Sequence, residues 1–219
     1  MSASAPLYLD TVDSVDQFLA NLSPVRAIAL DTEGASFHRF VDRIYLLQMS
    51  TDRHEAVIDP LPIGKPSRLG ALIEDPQVEI VLHDADYDLR LLHQDYGWQV
   101  RNLFDTRVAA QLLGIRAFGL AALLEQYFGL KLDKKHQRAD WSMRPLTADM
   151  LDYAAQDTRH LLPLRDKLRL WADTHRIANE EDEILIVVEV QQGAYTGEDD
   201  ICRMFNAFGE WGNPAEIGR

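Results

Sequence analysis

The sequence contains little cysteine and no long hydrophobic segment. Its single cysteine, Cys202, excludes an internal disulfide and a cysteine-rich zinc site, so any bound metal is expected to have oxygen ligands. The longest apolar run, residues 184–188, is far too short to cross a bilayer. Residues 1–10 lack the basic stretch and apolar segment of a secretory leader. These features predict a cytoplasmic protein with no membrane association.

Basic residues are also scarce, with 22 lysines and arginines against 35 acids and a formal net charge of −13. This balance is unfavourable for an enzyme of nucleic acids, because non-specific affinity for phosphates comes mainly from basic side chains that displace counterions. The acids cluster at residues 180–183 and 198–200, however, whereas residues 131–144 hold five lysines and arginines and two acids. That segment predicts a local basic surface, with an ordinary solvated loop as the alternative.

The apolar pattern predicts an α/β domain with a helical C-terminal part. Strands are expected at residues 25–31, 43–50, 55–58, 79–82 and 100–104, and helices at 69–74, 84–96, 106–113, 120–128 and 147–171. Leading strands, then alternating strands and helices, then helices alone indicate a mixed central sheet flanked by helices. We expect one domain over residues 1–178 and an extension of unknown role at 179–219.

Asp31 and Glu33 follow the apolar run 27–30, which is typical of a buried central strand. Because they are two residues apart, both side chains leave the same face of a strand, and one cation can bind both. The end of a central strand is also where ligand sites of such sheets usually lie. The alternative is an acidic strand end exposed to solvent.

Tyr153 and Asp157 are four residues apart, so on a helix they lie on one face. A phenol beside a metal-bound carboxylate can orient a water molecule or a phosphate. The alternative is a core tyrosine with a surface aspartate.

Residues 83–88 contain three more acids and a histidine. Asp84 is predicted to cap the helix that begins there. Asp88, a turn further on, is the acid we assign to a metal ion. His83 is either a contact for the substrate or a structural histidine with a satisfied ring.

In this order, Asp31-x-Glu33, Asp88 and Tyr153-x-x-x-Asp157 resemble the three exonuclease motifs of the DEDD superfamily, in the subgroup whose third motif carries tyrosine. The resemblance to the ribonuclease D family extends to segments at 104–114, 119–121, 132–135, 139–141, 144–146 and 161–164. The matching segments keep their order over residues 25–171.

The resemblance implies a ribonuclease-H-like fold and a 3′–5′ exonuclease that removes nucleotides one at a time from RNA 3′ ends, such as those of tRNA or structured precursors, and releases 5′-monophosphates. It implies two divalent ions, Mg²⁺ or Mn²⁺. Asp31, Glu33 and Asp157 would hold the first, Asp31 and Asp88 the second, and Tyr153 would position the water. A DNA exonuclease and a catalytically silent RNA-binding adaptor are the alternatives.

The loop after Glu33 departs from the family pattern, since Gly34 stands where other members often place a bulky residue. In this loop, Phe37 or His38 would stack on the terminal base and Arg39 would bind phosphate. A packing loop is equally compatible with the sequence.

Basic residues further along the chain complete the predicted nucleic-acid contacts. Lys135 and Arg138 lie in the basic segment and join His83 as candidates for binding RNA. Asp105 and Asp140 also lie in matching segments, but we expect them to make structural bonds or cap helices rather than bind metal.

Overall fold

A mixed six-stranded sheet forms the centre of the computed structural model, which describes residues 5–22, 24–35, 38–40 and 42–178, and short strands at 187–188, 204–205 and 211–212. The sheet contains β1 (Leu7–Leu9), β2 (Ala27–Glu33), β3 (Leu46–Ser50), β4 (Glu55–Ile58), β5 (Glu79–Leu82) and β6 (Leu103–Asp105). The helices are α1 (Val12–Ala20), α2 (Pro60–Ile63), α3 (Ser67–Ile73), α4 (Asp86–Tyr96), α5 (Thr106–Leu112), α6 (Leu120–Phe128), α7 (Ala148–Arg159) and α8 (Leu161–Ala178). The predicted α/β class and mixed sheet are confirmed.

Strand β2 lies inside the sheet, whose spatial order is β1-β4-β3-β2-β5-β6. It pairs antiparallel with β3 and parallel with β5. Its apolar residues Ile28, Ala29 and Leu30 are fully buried, which confirms the predicted central strand. The β2–β3 register places Asp31 opposite Gln48.

Helices cover both faces of the sheet, because alternate residues of β2 are apolar on each side. Ile28 and Leu30 pack into one core together with residues of α1, α3 and α4. Ala29 packs on the other face with residues of α5, α6 and α8, and α7 extends this layer across β3 and β4. The acids at the end of β2 therefore face α7.

The start of α4 differs from the sequence-based prediction. Ala85, not Asp84, is the N-cap residue, and no side chain caps the helix. Asp84 adopts a left-handed conformation with φ 63°. The backbone N–H groups of Asp84 and Ala85 donate to the carboxylate of Asp105, which also caps α5. The predicted cap at Asp84 is wrong because a distant carboxylate holds this turn, and the predicted structural role of Asp105 is confirmed.

The single helix predicted at 147–171 is two helices, α7 and α8, separated at His160. Pro163 explains the break. It has no N–H to donate to the carbonyl four residues earlier, and its ring would clash with that carbonyl, so proline is tolerated in the first turn of a helix but not in its interior.

The short strands Val187–Val188, Met204–Phe205 and Trp211–Gly212 pair antiparallel in a second sheet. The other residues of the predicted extension at 179–219 lie outside the described part of the chain, so the boundary after residue 178 stays a prediction. Of the helices described, none combines the length and apolar character needed to cross a membrane.

Candidate active site

Three acids from two elements meet at the end of β2. Asp31 and Glu33 leave the same face of the strand, and Asp157 reaches them from α7. Ligand oxygens of the three carboxylates all lie within 4.8 Å of one another. The strand spacing and the helix spacing therefore bring together acids that are far apart in the sequence.

Asp88 approaches this cluster from the opposite face of the sheet. It lies in the first turn of α4 and is 5% exposed. Its Oδ1 accepts hydrogen bonds from the backbone N–H of Thr32 at 2.9 Å and from the Thr32 hydroxyl at 2.6 Å. Thr32 points to the opposite face of β2 from Asp31 and Glu33. Its hydrogen bonds hold Asp88 beside these two acids.

Burial raises the pKa values of all four acids at this place. Burial, followed by the charges of the neighbouring acids, raises the pKa of Asp31 and of Glu33 well above the ordinary range. Burial also raises the pKa of Asp88 and of Asp157 to about 6 each. A cation at this place would remove both the repulsion and part of the cost of burying the charges.

The cluster fits a hard divalent cation. Carboxylate oxygens are the ligands that Mg²⁺ and similar ions prefer. Two oxygens bound to one octahedral Mg²⁺ lie at most about 4.2 Å apart, since each is about 2.1 Å from the ion. The ligand oxygens of Asp31, Glu33 and Asp157 lie within 4.8 Å of one another, so small side-chain movements would bring them to one ion.

Tyr153 lies on the same face of α7 as Asp157 and is 9% exposed. Its ring stacks on Trp141, with centroids 6.1 Å apart, and meets the edge of His136 at 5.5 Å. Burial, with the charges of Asp157 and Glu33, raises the pKa of the phenol to about 12. The hydroxyl therefore keeps its proton at neutral pH and can act through hydrogen bonds rather than as a base.

A buried ion pair fixes the segment that carries Trp141. The Asp59 carboxylate accepts hydrogen bonds from Arg144 Nε at 2.5 Å and Nη2 at 2.8 Å, and from Tyr8 Oη at 2.5 Å. Arg144 also donates to the carbonyls of Trp141 and Tyr45. Burial opposes ionisation of Asp59, but these bonds prevail and lower its pKa. The stacking partner of Tyr153 is thereby anchored to the sheet.

The loop after Glu33 packs against the basic segment. His38 Nε2 lies 2.9 Å from the carbonyl oxygen of Arg138. Arg39 donates to Ser142 Oγ at 2.6 Å and to Asp140 Oδ2 at 3.2 Å. These contacts confirm the structural role predicted for Asp140 and are those expected of a packing loop.

The other predicted RNA contacts also have protein partners. Lys135 pairs with Asp149, although its side chain remains 59% exposed. His83 Nδ1 lies 2.8 Å from Thr106 Oγ1, and burial lowers its pKa, as expected for a structural histidine. Phe37 lies outside the described residues. Binding of RNA by this group of residues stays a prediction.

Sequence reasoning missed three contributors to the site. Thr32 holds Asp88, His136 flanks Tyr153, and Gln48 lies opposite Asp31. Only Gln48 had a local signal, because it is a polar residue inside the apolar run of β3.

Comparison with known proteins agrees with this geometry. A family model described as 3′–5′ exonuclease matches residues 7–172. The chain belongs to this family. Members use divalent metal ions, and the cluster of three acids could hold one.

Individual relatives point to the same group. The exosome complex component 10 homolog of Drosophila melanogaster is 37% identical over 163 residues, which are 74% of this chain and 18% of that protein. The structure of Escherichia coli RNase D matches with a TM-score of 0.73 and 34% identity, over 78% of this chain and 46% of that one. The catalytic core of RRP6 from Trypanosoma brucei matches with a TM-score of 0.75 and 34% identity, over 81% of this chain and 50% of that one.

The predicted ribonuclease D resemblance and ribonuclease-H-like fold are confirmed by these similarities. The chain spans 18% of the Drosophila relative's length and about half of the two solved chains.

Proposed function

We propose that this protein is a metal-dependent 3′–5′ exoribonuclease that removes nucleotides one at a time from RNA 3′ ends and releases nucleoside 5′-monophosphates. The observation that carries the proposal is the convergence of Asp31, Glu33 and Asp157 beside Tyr153, whose phenol is influenced by the charges of Asp157 and Glu33. Such a group of oxygens is what hydrolysis of a phosphodiester with divalent ions requires.

The acids have distinct places in this proposal. Asp31, Glu33 and Asp157 would hold one Mg²⁺ or Mn²⁺ ion, and Asp31 and Asp88 would hold a second. When bound, the ions supply a lowered pKa for the attacking water and neutralise charge on the phosphate. The bonds from Thr32 keep the Asp88 carboxylate in place at the back of the cluster.

Tyr153 would orient the attacking water or the scissile phosphate. Its hydroxyl is protonated at neutral pH, so it can donate one hydrogen bond and accept another. Contacts with Trp141 and His136 restrict the ring, so the oxygen has a defined position. Positioning of this kind accelerates a reaction because less orientational freedom is lost on reaching the transition state.

The proposed substrate is single-stranded RNA, including the 3′ ends of tRNA or structured precursors. Escherichia coli RNase D is described as an exoribonuclease involved in structured RNA processing, and other relatives are exosome components. DNA is the alternative substrate, because discrimination requires a contact to the 2′-hydroxyl. His38, Arg39, His83, Lys135 and Arg138 stay the proposed contacts, as does Phe37 in the same loop.

The test is digestion of matched single-stranded RNA and DNA, labelled at the 5′ end, with Mn²⁺ and with EDTA. We expect a stepwise ladder on RNA that requires the metal and is lost in Asp157→Asn. The matched control is Asp152→Asn, because Asp152 lies on the same helix but is exposed and bonded to Arg159. It should retain activity. Internal cleavage, a ladder in EDTA, or a ladder from Asp157→Asn would overturn the proposal.

A further inference from the structure

Gln48 is a buried polar residue without hydrogen-bond partners. Its exposure is 0%, and within the described part of the chain neither Nε2 nor Oε1 has a partner. Leaving a buried polar group unsatisfied is unfavourable, because its hydrogen bonds to water are lost and not replaced. Such groups are uncommon in folded proteins and call for a physical reason.

The strand register shows which residue lies next to Gln48. Gln48 in β3 lies directly opposite Asp31 in β2. Opposed residues of antiparallel strands project from the same face with their Cβ atoms about 4.5–5.5 Å apart. Ser50, two residues further on that face, bonds to Thr158 of α7 at 2.7 Å. Gln48 is therefore enclosed between the sheet and α7, next to the acid cluster.

The chemistry of a primary amide suits this place. Gln48 has N–H donors and one carbonyl acceptor, and it adds no charge to a site already rich in acids. A carboxylate that binds a metal retains free lone pairs, and hydrogen bonds to them set its orientation. Asp31 is the acid assigned to both ions, so its orientation affects both.

We propose that Gln48 is a positioning residue of the metal site, whose Nε2 donates a hydrogen bond to the Asp31 carboxylate and holds it in its metal-binding orientation. This inference rests on the proposed function, because it requires Asp31 to be a ligand. The amide Nε2 then has a partner in the metal-bound protein, which explains why a buried donor without a partner is retained at this position.

The test compares Gln48→Met with the wild type. Methionine has a similar shape but no amide. Mn²⁺ affinity is measured by calorimetry, and melting temperature is measured with EDTA and with Mn²⁺. We expect Mn²⁺ affinity to fall about 10- to 100-fold, as for other groups that orient metal ligands. The melting temperature in EDTA should be unchanged or higher, because no satisfied hydrogen bond is removed.

Ser50→Ala is the matched control. It removes the bond to Thr158 on the same face of the same strand, but Ser50 lies opposite Ala29 rather than an acid. We expect the reverse result, a lower melting temperature in EDTA with unchanged Mn²⁺ affinity.

The possible results distinguish the role of Gln48 from the proposed exonuclease function. Equal Mn²⁺ affinity in the wild type and Gln48→Met would overturn the role of Gln48 and leave the exonuclease proposal intact. Loss of folding in both Gln48→Met and Gln48→Leu would also overturn it, since the amide would then be a structural group. A wild-type protein that binds no Mn²⁺ would overturn the metal site itself, and the inference with it.

Discussion

Replacing Asp157 with asparagine should stabilise the metal-free protein and reduce its stabilisation by metal. The carboxylate is partly buried beside Asp31 and Glu33, and burial raises its pKa to about 6. Asparagine has nearly the same shape but cannot ionise. The variant therefore has one negative charge fewer in the cluster, and it lacks a proposed metal ligand.

The magnitude follows from the pKa of Asp157, which is 3.8 in the reference state and about 6 in the folded protein. Because the pKa is higher in the folded protein, the protonated carboxyl group of the wild type favours the folded state. That contribution is fully present below the unfolded-state pKa and is lost as pH rises through the folded-state pKa. This rise in pKa corresponds to about 3 kcal/mol. The advantage of asparagine should grow from about 1 kcal/mol at about pH 4.5 to about 3 kcal/mol at about pH 8. For a protein of this size, the larger value is roughly 6–12 °C in melting temperature.

The assay is thermal unfolding of both proteins in EDTA across this pH range, repeated with Mn²⁺. Mn²⁺ should raise the melting temperature of the wild type by more than that of Asp157→Asn, which keeps Asp31 and Asp88 for the second ion but lacks a ligand of the first. Asp152→Asn should respond to Mn²⁺ as the wild type does, because its carboxylate is exposed and is not one of the clustered acids. If Asp157→Asn has no advantage at about pH 8, or one that does not increase with pH, the reasoning is refuted.

Four further outcomes are expected. Tyr153→Phe should lower kcat about 10- to 100-fold with little change in KM, as loss of one hydrogen bond to a charged group predicts; an effect confined to KM would contradict this role. Gly34→Ala should lower the free energy of unfolding in urea by about 1–3 kcal/mol, because the added Cβ would lie 2.2 Å from the Tyr87 hydroxyl. Asp59→Asn should lower it by about 3 kcal/mol, because it weakens the buried pair with Arg144; an unchanged urea midpoint would argue against the anchor. RNA affinity should be weak and fall with added salt in filter binding, whereas a flat salt profile would show that base stacking dominates.

Elements bounded by strong local signals were predicted best. The bounds of β4, β5 and α6 agree with the sequence-based prediction, and glycines flank α6 on both sides. Strand β1 and helices α1 and α2 were missed. The three residues of β1 have no periodicity of their own and become a strand by pairing with β4. The capping box of α1 uses Ser14 in place of the usual Glu or Gln, so its sequence signature was weak.

In the candidate site, too, the groupings set by local spacing were predicted and the contacts set by tertiary structure were not. Grouping of Asp31 with Glu33 follows from the spacing along one strand, and that of Tyr153 with Asp157 from the spacing along one helix. The residues that contact these groups cannot be predicted from such spacing. That Gln48 lies opposite Asp31 depends on the β2–β3 register, and that Thr32 binds Asp88 depends on the docking of α4. Both are tertiary facts that no local pattern specifies.

Basic side chains of the two segments beside the site form ion pairs outside the acid cluster. Three basic residues, from the loop after Glu33 and from the segment that carries His136 and Trp141, have such partners: Arg39 pairs with Asp140, Lys135 with Asp149, and Arg144 with Asp59. Burial raises the pKa of all four acids of the site, and the charges of neighbouring acids add to this rise for Asp31 and Glu33. Four carboxylates carry the charge that two divalent ions would balance. A net negative charge is unfavourable for an enzyme of nucleic acids. Part of this charge is concentrated where bound metal ions would neutralise it.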